Sequence, residues 1–297
     1  MELGQISTAM VTPYSTAGDI DYDKTAKLVE HLIANGTDSL VVCGTTGESP
    51  TLSAAEKEAL LSFTIETVNK RIPVIAGTGT FSTKETVMLT KMAERVGSDG
   101  IMLVAPYYNK PDQKGMFAHF SHVAAETKLP VMLYNIPGRS AVNMLPETLI
   151  ALSKIPNIRA VKEASGSLDQ MVDIISGTDN GFALYSGDDA LTLPALAIGA
   201  KGVVSVASHV AGNEMQQMVN AFKEGRTDQA ARMHRALLPL FHGLFAAPNP
   251  VLVKYALEKV GIHTGGVRLP LTDFGSEGNI PFDEVWESYK KTDHLFK

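Results

Sequence analysis

The chain has 297 residues, and its 32 acidic against 26 basic residues give a formal net charge of −6. This mildly acidic balance, without any long basic run, argues against a nucleic-acid-binding protein. The single cysteine, Cys43, excludes an internal disulfide framework, and no apolar stretch is long enough to span a membrane. Because the first residues lack the pattern of a secretory signal, we expect a cytoplasmic protein.

The first two thirds of the chain contain short runs that are rich in apolar and β-branched residues. The starts of these runs are spaced widely enough for a helix and two short loops, which predicts alternating strands and helices. The eight predicted strands cover residues 6–11, 39–43, 73–78, 100–105, 130–135, 158–163, 182–186 and 202–207.

The segments between these runs have helical patterns. Ser53, with Glu56 three residues later, forms the capping-box sequence that begins a helix, and Pro146 suits the first turn of another. The helices predicted in this alternating part cover residues 23–35, 53–69, 82–96, 113–127, 147–152 and 191–198.

Eight strand–helix units favour a closed (β/α)8 barrel, an α/β fold in which helices cover a parallel sheet. An open doubly wound sheet is the competing architecture, but Thr12-Pro13-Tyr14 follows the first strand where a dinucleotide-binding sheet has a glycine motif. From about residue 225 the strands stop, and helices are predicted at 228–247, 249–260 and 282–290. We therefore expect a catalytic barrel over residues 1–224 and a C-terminal helical domain over residues 225–297.

Functional sites in such barrels form at the carboxyl ends of the strands. Histidines and carboxylates do not occur at these strand ends with the spacing of metal ligands, so the sequence does not indicate a metal site. Lys162 lies near the end of an otherwise apolar strand, and burial there favours its neutral amine, a nucleophile toward ketones. The competing interpretations are a lysine that reaches the barrel rim, or one paired with Glu163, although adjacent strand residues face opposite ways.

Three tyrosines also lie at strand ends. Tyr134 ends the strand before that of Lys162, so its phenol is placed to transfer protons during imine formation. A core tyrosine with a satisfied hydroxyl is the alternative. Tyr107 and Tyr108 place one side chain on each face of another strand end, where one of them is able to join the site.

Further polar groups follow the strands. The loop at residues 44–47 offers backbone amides and two threonine hydroxyls to a carboxylate or phosphate oxygen. Arg139 follows a Pro-Gly pair on a predicted loop, where it suits the carboxylate of a substrate or is an ordinary surface arginine. Asp188 and Asp189 form either a carboxylate pair or the cap and first turn of the next helix, and we favour capping for at least one.

Five motifs at the strand ends occur in a distinctive order. They are GTTGES at 44–49, PYYN at 106–109, YNIPGR at 134–139, VKEASG at 161–166 and SGDD at 186–189. Together with Asn249-Pro250, they resemble the dihydrodipicolinate synthase family across essentially the whole chain. The resemblance implies a class I aldolase-type barrel that condenses pyruvate with L-aspartate-4-semialdehyde in the diaminopimelate route of lysine biosynthesis. It implies no metal and no organic cofactor.

The same resemblance assigns catalytic roles. It implies that Lys162 forms an imine with pyruvate and that Tyr134 shuttles protons. Thr45 and Tyr108 then complete a proton relay, with Tyr108 reaching into a neighbouring subunit's site. A homotetramer made of two tight dimers is the implied assembly.

Substrate-binding roles also follow from the resemblance. Thr46 is expected to hold the pyruvate carboxylate, and Arg139 to meet the carboxylate of the semialdehyde. Gly187 and Val204 are expected to line the pocket through backbone groups. Related N-acetylneuraminate lyases and keto-deoxy-sugar aldolases share the barrel and the lysine, so they are the alternative function. Two further alternatives are less favoured. One is a phosphate-binding barrel that uses residues 199–202, and the other is a barrel without catalytic activity.

The resemblance also bears on regulation. Family members that lysine inhibits carry an asparagine and histidines in a cleft at the subunit interface. At the corresponding positions this chain has Phe81, Ala54 and Lys57, of which the first two lack hydrogen-bonding side chains. We therefore predict weak or absent inhibition by lysine. The positions that match the inhibited pattern are Ser49, Glu85 and Tyr107.

Overall fold

The computed structural model describes residues 3–275 and 281–296. In this part of the chain, eight strands pair in parallel and close into a barrel in chain order, with the last strand paired to the first. This closure confirms the (β/α)8 fold and excludes the open sheet. The strands are β1 (Ile6–Ala9), β2 (Ser39–Val42), β3 (Val74–Gly77), β4 (Gly100–Val104), β5 (Val131–Asn135), β6 (Ile158–Glu163), β7 (Ala183–Ser186) and β8 (Gly202–Ser205).

Helices connect successive strands and cover the outside of the barrel. Several begin at a capping side chain, and the predicted capping box of Ser53 and Glu56 is present. The helices of the barrel are α1 (Tyr22–Ala34), α2 (Ala54–Val68), α3 (Thr83–Arg95), α4 (Gln113–Ala125), α5 (Pro137–Ser140), α6 (Pro146–Leu152), α7 (Leu168–Gly177), α8 (Thr192–Ala197) and α9 (Ser208–Lys223).

Alternation along the strands separates two layers of buried side chains. One layer packs between the strands and the helices, and the other fills the interior of the barrel. On β6, Val161 belongs to the outer layer and Ala160 to the interior, so Lys162 lies on the interior side. In the strand register, Lys162 is level with Tyr134 on β5 and with Tyr185 on β7. The register therefore brings the predicted nucleophile beside the predicted proton carrier.

The observed elements differ from the predicted ones mainly at their ends. Strands β1 and β8 end two residues earlier than predicted, because the residues that follow leave the ladder for the loops above the barrel. The loop predicted around Arg139 is wrong: the amides of Ser140 and Ala141 donate to the carbonyls of Ile136 and Pro137, which makes one helical turn. The helix predicted at 191–198 begins with a separate 3-10 turn at Asp189.

After the barrel, three helices form a C-terminal tail. They are α10 (Thr227–Gly243), α11 (Val251–Lys259) and α12 (Phe282–Lys290). Helix α10 packs against α9 of the barrel and against α12. The division at residue 224 stays a prediction. Within the described residues, none of the helices has the length and apolar character needed to cross a membrane.

Candidate active site

A cavity of about 180 Å³ opens at the carboxyl ends of the strands, where the fold predicts a site. Its wall includes Thr45 from the loop after β2, Tyr107 from the loop after β4, Tyr134 at the end of β5, and Arg139 on α5. Hydroxyl, phenol and guanidinium groups therefore converge on one small cavity. Such convergence of a few polar groups in an otherwise apolar pocket is typical of a small-molecule site.

Lys162 is buried beside this cavity, with only 5% of its surface exposed. Its Nζ atom lies 4.3 Å from the centroid of the Tyr134 ring. Burial disfavours the ammonium form and lowers the pKa of Lys162 to about 8, while the charge of Asp189 opposes this shift and that of Arg139 adds to it. At pH 8 about half of these side chains are neutral amines, the form that attacks carbonyl carbons.

The alternative pairing of Lys162 with Glu163 does not occur. Glu163 is fully buried on the opposite face of β6, where it accepts hydrogen bonds from the side-chain amides of Asn135 and Gln170 and from the backbone amide of Ser165. Within the described residues, no carboxylate lies within ion-pair distance of Lys162. The amine is therefore free of the partner that would keep it permanently charged.

Tyr134 is also buried, and its environment is suited to proton transfer. Burial raises the pKa of Tyr134 to about 12, while the positive charge of Arg139 and a hydrogen bond with the Thr45 side chain oppose this rise. The phenol therefore stays protonated at neutral pH, with the Thr45 side chain next to it. Two members of the expected relay thus lie side by side in one chain.

The third expected member of the relay, Tyr108, does not join them. Its side chain is 91% exposed, and its backbone adopts the left-handed conformation with a φ of 70°. This conformation is uncommon for a residue other than glycine. The side chain of Tyr108 is therefore directed to the surface of the chain, while its neighbour Tyr107 lines the cavity. The structure of one chain brings Thr45 and Tyr134 together and leaves Tyr108 apart.

Gly187 and Val204, the two residues expected to contribute backbone groups, lie in the barrel wall. A Cβ atom at Gly187 would lie 3.0 Å from Cε of Lys162 and 2.6 Å from the Ala164 side chain, so only glycine leaves room for the lysine. The amide of Gly187 donates to the carbonyl of Glu163. Val204 is 1% exposed in the barrel interior.

Thr46 is buried, whereas Arg139 is exposed at the cavity. Thr46 is 3% exposed, and its hydroxyl accepts a hydrogen bond from Nδ2 of Asn249 at 2.9 Å. Arg139 is exposed on α5 and lies at the cavity wall, as an entrance residue would. The helical turn holds its guanidinium next to the cavity, an arrangement that the predicted loop did not include.

The sequence interpretation named Asp189 and Asn249 but did not predict the contacts that they make near the site. Asp188 caps the 3-10 turn through the amide of Ala190, as favoured, but Asp189 is 2% exposed and accepts from the amides of Val206 and Ala207. Asn249 was noted only as part of a motif. No local pattern separates a capping aspartate from a buried one. Among the described residues, histidine, cysteine and carboxylate side chains form no cluster of three or more that suits a metal.

A desolvated lysine inside the carboxyl end of a (β/α)8 barrel, next to a buried phenol, defines a class I aldolase-type enzyme that acts through a Schiff base. The model of the dihydrodipicolinate synthetase family matches residues 2–285, and this chain belongs to that family.

Individual relatives agree with the family match. The chain is 60% identical over 277 residues to 4-hydroxy-tetrahydrodipicolinate synthase 2 of Halalkalibacterium halodurans. The alignment covers 93% of this chain and 95% of the relative. The crystal structure of dihydrodipicolinate synthase DapA-2 from Bacillus anthracis has a TM-score of 0.95 at 53% identity and covers 97% of this chain and 99% of its own. The chloride-inhibited dihydrodipicolinate synthase of Acinetobacter baumannii, complexed with pyruvate, has a TM-score of 0.93 at 38% identity, with coverage of 98% and 99%.

Proposed function

We propose that this chain condenses pyruvate with L-aspartate-4-semialdehyde, the reaction of a 4-hydroxy-tetrahydrodipicolinate synthase in the diaminopimelate route of lysine biosynthesis. The observation that carries the proposal is the buried amine of Lys162, with its pKa lowered to about 8 at the carboxyl end of the barrel. Family membership and the pyruvate complex of the Acinetobacter baumannii relative support it.

The first half of the reaction forms an imine. The neutral amine of Lys162 adds to the keto carbon of pyruvate, and the resulting carbinolamine loses water to give a protonated imine. Tyr134, held as a phenol and linked to Thr45, donates the proton that the departing hydroxyl needs. The protonated imine withdraws electrons, so the methyl carbon gives a proton to the phenolate left on Tyr134, and an enamine forms.

The second half forms the carbon–carbon bond. The enamine carbon attacks the aldehyde carbon of the semialdehyde, and the aldehyde oxygen takes a proton from the Tyr134–Thr45 pair. The amino group of the semialdehyde then attacks the imine carbon. This closes the ring and expels the amine of Lys162, which returns the enzyme to its starting state.

Substrate binding uses residues at two depths. Thr46, on the loop that also carries Thr45, is assigned to the carboxylate of pyruvate. Gly187, which packs against the side chain of Lys162, and Val204, in the barrel interior, are assigned to the wall of the pocket. Arg139, exposed at the cavity, is assigned to the carboxylate of the second substrate, which a guanidinium binds with two parallel hydrogen bonds.

The assembly and location complete the proposal. The outward position of Tyr108 supports a dimer in which each subunit completes the other's relay, and two such dimers would form a homotetramer. We assign the enzyme to the cytoplasm, where its biosynthetic substrates are made.

Covalent trapping tests the Schiff base. Borohydride reduction in the presence of pyruvate should attach a stable adduct to one peptide, which mass spectrometry should map to Lys162. Lys162→Ala should form no adduct, whereas the control Lys201→Ala, at an exposed lysine, should be trapped like the unaltered protein. An adduct confined to another lysine would contradict the proposal.

The second substrate needs its own test, because trapping reports only on pyruvate. Turnover should be high with aspartate semialdehyde and low with aldehyde sugars, which the sugar-acid aldolases use. Arg139→Ala should raise KM for the semialdehyde by about tenfold or more, because a charged hydrogen-bonded pair is lost, and leave KM for pyruvate nearly unchanged. Equal losses for the two substrates would contradict the role of Arg139.

A further inference from the structure

The C-terminal tail reaches the loop that carries Thr45 and Thr46. Asn249, which lies just before α11, donates a hydrogen bond through Nδ2 to the hydroxyl of Thr46 at 2.9 Å. Asn249 is 7% exposed and Thr46 is 3% exposed, so water does not compete effectively for this bond. The two residues are 203 positions apart in the chain. A part of the chain outside the barrel therefore contacts the loop whose Thr45 lines the cavity.

The direction of this bond determines what the Thr46 hydroxyl is able to do. A hydroxyl has one proton to donate and two lone pairs to accept with. The amide of Asn249 occupies one lone pair, and within the described residues the hydroxyl of Thr46 donates to no recorded partner. The proton of Thr46 is therefore available to an anionic ligand, and Asn249 prevents the hydroxyl from rotating away.

A second set of contacts fixes the same loop. Nζ of Lys254 on α11 lies 2.8 Å from Oε1 of Glu48, and both side chains are almost completely buried. The backbone amide of Arg268 donates to the other carboxylate oxygen of Glu48. Glu48 has a φ of 57°, in the left-handed region, so the loop needs such contacts to keep its shape. The amide of Glu48 in turn donates to the carbonyl of Thr45.

We propose that Asn249 is a positioning residue of this enzyme, which orients the Thr46 hydroxyl to donate its proton to the carboxylate of the keto acid. This inference rests on the function proposed above. Asn249 does not itself contact the reacting atoms, and its effect passes through Thr46. The Lys254–Glu48 pair keeps the loop at the distance at which the bond forms.

Asn249→Asp tests the direction of the bond, because aspartate has the same shape but no N–H to donate. Its carboxylate would accept the Thr46 proton and repel a second carboxylate. We expect KM for pyruvate to rise by about tenfold or more, with kcat at saturating pyruvate nearly unchanged. Asn249→Ala, which removes the donor without adding charge, should show a smaller rise in KM. Tyr255→Phe is the control, because it removes a hydrogen bond of α11 to Asp283, away from the loop.

A double-mutant cycle with Thr46→Val distinguishes positioning from general destabilisation. If Asn249 acts through Thr46, Asn249→Ala should have almost no further effect on KM in the Thr46→Val background. Additive effects of Asn249→Ala and Thr46→Val, or an equal rise in KM for Tyr255→Phe, would overturn the proposal. So would an unchanged KM in both Asn249 variants while pyruvate is trapped on Lys162, a result that leaves the proposed function intact. Absence of trapping in the unaltered protein would instead overturn the proposed function, and the role of Asn249 with it.

Discussion

Two regions of the molecule each contain a lysine buried against a tyrosine ring. Lys162 lies 4.3 Å from the ring centroid of Tyr134 in the barrel, and Lys254 lies 4.3 Å from that of Tyr14 where the tail meets the barrel. The two lysines are 5% and 3% exposed. Residue types, distances and burial are thus nearly the same.

The two sites differ in whether a carboxylate contacts the lysine. Lys254 forms an ion pair with Glu48 at 2.8 Å and donates to the carbonyl of Gly266, so its ammonium is paired and held. Among the residues that the structure describes, Lys162 has no such partner, and Asp189 acts on it only through its charge. Burial lowers the pKa of both lysines, but at Lys254 the contacting Glu48 carboxylate opposes this shift and holds the ammonium, whereas no such contact opposes it at Lys162 among the described residues. The surroundings, and not the residue, decide between these outcomes.

The largest expected effect is the loss of activity in Lys162→Met. Methionine keeps most of the volume but has no amine, so we expect turnover to fall by about 10⁴-fold or more. Stability should not fall, because burial of the unpaired ammonium opposes folding. The folded-state pKa of about 8 lies below the usual value of 10.5, so the unfolded chain binds more protons between these values.

Measurements of the unfolding free energy against pH test whether burial of Lys162 opposes folding, as predicted. The stability of the unaltered protein relative to Lys162→Met should be lowest below pH 8 and should rise as the pH approaches 10.5. Denaturant unfolding of both proteins at several pH values measures the difference. A strong loss of stability in Lys162→Met at pH 7 would show that Lys162, like Lys254, mainly stabilises the structure.

The opposite pattern is expected at the tail. Lys254→Met leaves the carboxylate of Glu48 buried without its partner, so we expect a loss of about 3–5 kcal/mol of unfolding free energy. Lys254 should also never be trapped with pyruvate. The double variant Glu48→Gln/Lys254→Met removes both charges and should recover part of the stability. If the double variant were less stable than Lys254→Met alone, an uncompensated charge would not be the cause.

A smaller effect is expected on the pH dependence of activity. Since the neutral amine reacts, kcat/KM for pyruvate should rise with pH and level off above an apparent pKa of about 8. The charge of Asp189 raises the pKa of Lys162, so Asp189→Asn should move this rise to lower pH. Asp188→Asn, one residue away in the capping position, is the matched control. A shift to higher pH would contradict the assigned electrostatics.

The smallest expected effect concerns inhibition by lysine, at the positions that the family resemblance assigns to a lysine-binding cleft. Here Phe81 is 48% exposed and packs edge-on against Tyr107 at 5.4 Å, and Ala54 is exposed. These side chains offer no hydrogen bonds to a bound lysine. We expect weak or no inhibition of turnover by lysine, and a sub-millimolar inhibition constant would contradict this.

Much of the fold follows from local patterns. The eight apolar runs predicted the strands to within two residues at each end, because strands that are buried on both faces consist mainly of apolar residues. The capping box at Ser53 and the proline at the start of α6 were visible for the same reason. The turn at Arg139 was not, since a Pro-Gly pair fits a loop as well as one helical turn.

The site was predicted less completely than the fold. The sequence pointed to Lys162 and Tyr134 because polar residues that interrupt buried strands are conspicuous. Asp189 and Asn249 lie in helical or capping contexts where the same residues usually serve local structure. Their partners, the amide of Ala207 and the hydroxyl of Thr46, are 18 and 203 positions away.

The sequence by itself determined the alternation of strands and helices, the barrel and the strand end at which a nucleophilic lysine lies. These features depend on the order of apolar and polar residues over short distances. Only the tertiary structure decided that Lys162 lacks an ion-pair partner in the described part of the chain, that Lys254 has one, and that Asn249 of the tail donates a hydrogen bond to Thr46. Burial and pairing depend on groups that come from distant parts of the chain, and a local sequence pattern does not specify which of these groups come into contact.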